Sequence, residues 1–167
     1  MTSLSTSVQA ASVGSPAYSQ SFPCEPATAE AGRKLVRQVL AVWRLGRIAD
    51  RAELVVTELI ANATRHTSCA EIRLVVRRLA PSRVRVGIVD RAPSRLPVPG
   101  RATDDDESGR GLFLVEAVAA RWGYDLHGSR GRLWAKEVWA EIHDEAEEPA
   151  VPTETSASRP PRRSRQQ

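Results

Sequence analysis

At 167 residues the chain is long enough for one domain with a proper core. Its formal charge of +4 is unevenly held: the first 24 residues carry no charge, and the segment from His143 onward, with five acids against four arginines, nets −1 and leaves +5 on residues 25–142. A mildly basic body suits an anionic ligand without demanding nucleic acid, and no basic start or continuous apolar run signals secretion or a membrane span. Both ends are compositionally biased, so residues 1–17 and the Pro/Arg-rich stretch 143–167 are expected to be disordered tails around a domain at 18–142. Cys24 and Cys69 are too few for a disulfide framework and lack metal-ligand spacing, which makes a reducing cytoplasm the default location. Lys34 and Lys136 are the only lysines in an otherwise arginine-based chain.

In chain order, Tyr18–Cys24 reads as a short strand ended by Pro23 and Pro26. Helix formers follow from Ala27 to Leu45, with apolar positions at Leu35, Val36, Val39, Leu40 and Trp43 and a stop near Gly46. A second amphipathic helix is predicted from about Ala49 to His66, with Asp50 as its N-cap and Val56, Leu59, Ile60 and Ala63 forming its apolar stripe. Ala70–Leu79 alternates Ile72, Leu74 and Val76 with Glu71, Arg73 and Arg77, and Val84, Val86 and Ile88 repeat the pattern after the Pro81-Ser82 turn. These two strands predict a hairpin. A long loop, Arg91–Ser108, contains the acidic run Asp104–Glu107, and a helix runs from Gly109 to Trp122. Gly123–Gly128 is a candidate strand, and the last strand falls within Leu133–Ile142, where Val138 and Ala140 alternate with Glu137, Trp139 and Glu141. The order β-α-α-β-β-α-β-β, with strands adjacent in pairs, predicts an α+β two-layer sandwich: a mixed, mostly antiparallel sheet with helices on one face.

Three stretches could carry chemistry. Glu58 and Asn62 stand four apart on one flank of the second helix, a carboxylate able to take a proton and a carboxamide oxygen able to meet a hard cation. Such a pair taken alone is commonly a solvated edge. Asp90 closes an apolar strand and could accept a hydrogen bond from an exocyclic amine or simply shape a turn. Gly109-Arg110-Gly111-Leu112 opens a helix after a long loop, where backbone N–H groups attract phosphate. It fails as a dinucleotide fingerprint, because the third glycine, the preceding strand and the later acid are all missing. His66, His127 and His143 form no Ser-His-Asp or Cys-His arrangement, and the four tryptophans suit core or partner surface better than base stacking.

In combination, Glu58-x3-Asn62-x3-His66 on a helix, Val89-Asp90 closing a strand and Glu107-Ser108-Gly109-Arg110-Gly111-Leu112 opening a helix resemble the ATP-binding domain shared by gyrase, the heat-shock chaperone, histidine kinases and mismatch-repair ATPases. Within that superfamily the stretch 18–142 looks most like the small bacterial anti-sigma-factor serine kinases. The resemblance implies a Bergerat-type fold, with ATP and Mg2+ as cofactors. It further implies Glu58 as catalytic base, Asn62 as magnesium ligand and Asp90 as reader of the adenine amine. Gly109, Arg110, Gly111 and Leu112 would lie at the lid and helix start that contact phosphates. It also implies transfer of the γ-phosphate to a serine of an antagonist protein, retention of a sigma factor and scope for a homodimer, with no direct contact to nucleic acid or membrane. Two departures stand out: Ala92 occupies the position where the family commonly has glycine, and Gly128–Leu133 reads looser than the usual final hairpin. The main rival is a catalytically silent ATP-binding interaction module of the same fold. A histidine-kinase fragment lacks room for the helical pair bearing a phospho-accepting histidine, and a nucleic-acid binder rests only on the Arg-rich tail and a pI near 9.7.

Overall fold

The computed structural model describes residues 16–97, 110–129 and 131–145, with the backbone alone at Arg110. In chain order it runs β1 (Ala17–Pro23), α1 (Thr28–Val42), a 3-10 turn (Gly46–Ile48), α2 (Ala49–His66), β2 (Glu71–Ala80), β3 (Arg83–Asp90), α3 (Arg110–Val118), β4 (Arg121–Ser129) and β5 (Arg132–His143). The strands form one open sheet in the order β1-β2-β3-β5-β4. Every pairing in it is antiparallel, so the mixed element of the expected sheet is not found among the described strands. The α+β sandwich itself is as expected. The outermost paired residues, Ala17 and His143, sit one position beyond the expected domain limits at each end. Most of the expected tails, the acidic run Asp104–Glu107 and Gly109 lie outside the described residues.

Local sequence explains the helix ends. At the end of α1 the Leu45 N–H donates to Leu40 O at 2.8 Å and the Arg44 N–H to Ala41 O at 3.1 Å, the paired bonds of a Schellman motif. Arg44 takes the left-handed position at φ 60°, where glycine is usual, and the helix therefore stops before Gly46 rather than at it. The following turn leads directly into α2, so Ile48 precedes the helix and Asp50 lies inside its first turn, where it bonds Arg37 at 2.7 Å instead of capping. The β4–β5 connection is tighter than expected: Ser129 faces Arg132, and Gly131 takes φ +80°. A side chain at Gly128 would run into the Arg132 and Leu133 backbone, so glycine there permits the bulge between His127 and Gly128.

The core lies between the helices and one face of the sheet. Val55, Val56, Leu59 and Ile60 of α2 are fully or almost fully buried against Ile72, Leu74 and Val76 of β2, Val84, Val86 and Ile88 of β3, and Val138, Ala140 and Ile142 of β5. Each such side chain removed from water contributes about 1.5–3 kcal/mol. The predicted apolar alternation is thus the core-facing register of each strand.

The opposite face is unusual for a sheet surface because it contains buried acids. Glu137 and Glu141, which alternate with the inward Val138 and Ala140, are nevertheless 2% and 0% exposed. Arg77 grips both oxygens of Glu137, and Glu137 lies flat across Gly87, which has no side chain to block it. Glu141 accepts from Arg85 at 2.7 Å and from Arg121 at 2.8 Å, and the Arg85 guanidinium stacks 3.9 Å from the Trp139 ring. Hydrogen bonds from Arg121, then Arg85, hold the Glu141 carboxyl down at about 2 against the opposing effect of burial.

Candidate functional site

The flank of α2 identified in the sequence faces α3. Val55, Val56, Leu59, Ile60 and Ala63 turn the helix stripe into the core, which leaves Glu58 and Asn62 half-buried, one turn apart, at its edge. Neither side chain has a hydrogen-bond partner among the described residues. Leu112 and Val115, 6% and 0% exposed, seat the start of α3 against this side of the core. The backbone of Gly111 then approaches Glu58 so closely that a Cβ there would stand 2.5 Å from Glu58 Oε2. Only glycine leaves that space, and the close approach joins two stretches more than fifty positions apart in the chain.

Asp90 continues the inward register of Val84, Val86 and Ile88, so its carboxylate projects from the end of β3 on the helix side. It is 2% exposed. Directly across the ladder stands Lys136, equally enclosed, whose Nζ donates to Asp90 Oδ1 at 2.7 Å and to the Ala92 carbonyl at 2.9 Å. The Ala92 N–H also donates to Asp90 Oδ1, at 2.8 Å. Asp90 is therefore both turn former and charge partner, and its Oδ1 is already well supplied with donors.

Lys136 is the residue that sequence reading passed over. Its signal was available: the inward parity of Val138, Ala140 and Ile142, extended one step back, puts a lysine in a core register. Of the other predicted residues, Gly109 and the Arg110 side chain lie outside the described set. Glu58 and Gly111 are brought into contact, Asn62 shares the flank of Glu58, and Asp90 lies on the same face of the sheet at its β3 end. No group of His, Cys, Asp and Glu able to hold a metal occurs among the described residues, so a cation here would depend on an amide oxygen and on the ligand's own oxygens.

A concavity of about 490 Å³ lies largely on the open face of the sheet, bounded by Arg73, Arg77, His127, Trp134 and Glu137 and reaching Asp90 at the end of β3. Glu58, Asn62 and Gly111 are not part of its wall. The Glu58–Gly111 cradle, rather than this concavity, combines a candidate base, an amide oxygen and the N-terminal end of a helix. No described helix is long and apolar enough to cross a membrane.

Comparison with known proteins identifies the family of the domain. Over 84 residues, half of this chain and 78% of the relative, the sequence is 39% identical to an uncharacterized protein of Streptomyces coelicolor. The family model for the histidine kinase-like ATPase domain matches residues 22–140, from the end of β1 through most of β5, and so includes both halves of the Glu58–Gly111 cradle. A match of that extent, on an antiparallel sheet backed by helices with a carboxylate-bearing helix against a glycine-led one, makes this chain a member of the histidine kinase-like ATPase domain family.

Proposed function

We propose that the chain is a magnesium-dependent, ATP-binding regulator that transfers the γ-phosphate to a serine of a partner protein, in the manner of the anti-sigma-factor kinases. The observation that carries this reading is the approach of Gly111 to Glu58, since it sets a carboxylate beside the end of a helix suited to phosphate. The cradle fits the nucleotide: a Cβ would fill it, and the half-buried Glu58 and Asn62 have no competing partner among the described residues. Bound ATP with magnesium would supply a transferable phosphoryl group and neutralise much of its charge.

Each residue then has a defined task. Asn62 would offer its carbonyl oxygen to the cation. Gly109 and Gly111 let the backbone come close to the polyphosphate, Arg110 adds positive charge, and Leu112 anchors the helix that follows. Glu58 would accept the proton of the partner's serine hydroxyl as the serine oxygen bonds the γ-phosphorus and the bond from that phosphorus to the bridging oxygen breaks, leaving phosphoserine and ADP. Phosphoryl transfer depends chiefly on positioning and charge compensation, so few groups suffice. The partners in this reading are a sigma factor and its antagonist, the setting is the cytoplasm, and a second copy of the chain is a compatible assembly partner.

A second reading, a catalytically silent nucleotide-dependent interaction module, is favoured by one observation. Ala92 stands where the family commonly has glycine, and its backbone closes a turn over Asp90 together with Lys136. Calorimetric ATP binding with and without magnesium, for wild type and Asn62→Ala, tests the first reading. The substitution should weaken the magnesium-dependent part of binding more than the remainder; equal loss, or none, would remove Asn62 from its assigned role. Labelled ATP incubated with a candidate antagonist then separates the two, since binding without transfer leaves only the module.

A further inference from the structure

We propose that Lys136 is a second base-reading group beside Asp90, donating a hydrogen bond to the purine ring nitrogen that flanks the exocyclic amine. This rests on the reading of the site as a nucleotide pocket and names the group that would select the base within it. The lysine ammonium has three donors. Two are used, by Asp90 Oδ1 at 2.7 Å and the Ala92 carbonyl at 2.9 Å, and the third has no acceptor among the described residues. Lys136 and Asp90 are opposite one another in the β3–β5 ladder, with side chains on the helix face and almost no exposure. An acceptor and a spare donor therefore stand side by side, held by the sheet and by the turn at Ala92.

That arrangement has a specific complement. Adenine presents its amine as a donor with a ring-nitrogen acceptor next to it, N1 on one edge and N7 on the other. The amine suits the Asp90 carboxylate and the adjacent nitrogen suits the ammonium. An arginine could not substitute easily, because its planar fork needs room that a point-like ammonium does not. It is notable that one of only two lysines in the chain occupies this enclosed position. The pairing also orients Asp90 and places a counter-charge 2.7 Å from its enclosed carboxyl group.

The test uses the full chain with ATP, 1-deaza-ATP and 7-deaza-ATP, each lacking one ring nitrogen in turn or neither, read by calorimetry. One deaza analogue should bind wild type at least about tenfold more weakly than ATP, the scale of a hydrogen bond to a charged donor. Lys136→Met should bring that ratio close to one, and Lys136→Gln, which keeps a donor, should restore part of it. Should Lys136→Met not fold by thermal melting, the wild-type ratio still decides. Equal binding of all three nucleotides by wild type overturns the assignment, and so does a loss in Lys136→Met that is the same for each. If wild type binds none of them, the nucleotide reading itself falls; if it binds ATP without regard to ring nitrogens, only the role of Lys136 does.

Discussion

Together, strands β3 and β5 place buried charge on both faces of the sheet, and the two sets are completed differently. On the open face each acid is saturated: Glu137 is gripped through both oxygens by Arg77, and Glu141 by Arg85 and Arg121. Those arginines keep contact with water, Arg121 with 61% of its side chain exposed, so ionic groups there are only partly desolvated. On the helix face the Asp90–Lys136 pair is one-to-one, at 2% exposure on each side, and leaves an ammonium donor over. On α2, Glu58 and Asn62 have no partner among the described residues. Saturated charge holds strands together, whereas charge with spare hydrogen-bonding capacity is suited to meeting something else.

This division predicts that substitutions of the unpartnered Glu58 and Asn62 change chemistry with little effect on stability, while open-face substitutions do the reverse. The largest effect is expected for Glu58→Ala: phosphoryl transfer should fall at least roughly a hundredfold with ATP affinity nearly unchanged, measured as single-turnover transfer alongside calorimetry. Surviving turnover would show that Glu58 is not the base.

Next comes Glu141. Its folded carboxyl lies at about 2, below its ordinary 4.5, so it stabilises the fold fully above the ordinary value and loses that contribution as pH falls toward 2. The gap corresponds to about 3 kcal/mol. Denaturant titrations of wild type and Glu141→Gln should differ most at neutral pH and converge toward pH 2, with ATP affinity of the folded protein unaltered. A loss of affinity at unchanged stability would dissolve the distinction between the faces.

Gly111→Ala should have a smaller effect. The atom that an added Cβ would meet is the far end of a flexible side chain, so Glu58 can swing aside and the melting temperature should stay within a few degrees. Transfer should still fall by about tenfold, because the carboxylate is displaced from the helix end. Unaltered transfer would mean that the close approach has no chemical role. The smallest effect belongs to neither face: Arg44→Gly relieves a left-handed residue at the end of α1 and should stabilise the fold by up to about 1 kcal/mol, seen as a raised denaturation midpoint.

Much of this molecule could be read along the chain, as α2 shows best. Its limits, apolar stripe and Glu58–Asn62 flank follow from spacing alone, because a helix turns local periodicity directly into a face. The alternations of β2 and β3 likewise predicted which side chains enter the core. Asp50 was read incorrectly as a cap, since the 3-10 turn runs directly into α2 and leaves Ile48 in the N-cap position.

Sequence by itself determined the helix and strand order, the inward-facing residues and the residue types from which a nucleotide site could be assembled, since these depend on neighbours within a turn or a strand. Tertiary structure alone decided that Lys136 faces Asp90, that Glu137 and Glu141 are buried under arginines, and that Gly111 abuts Glu58. Those outcomes come from strand register and helix packing between segments dozens of residues apart, where the environment of a charge is set by what the fold brings beside it.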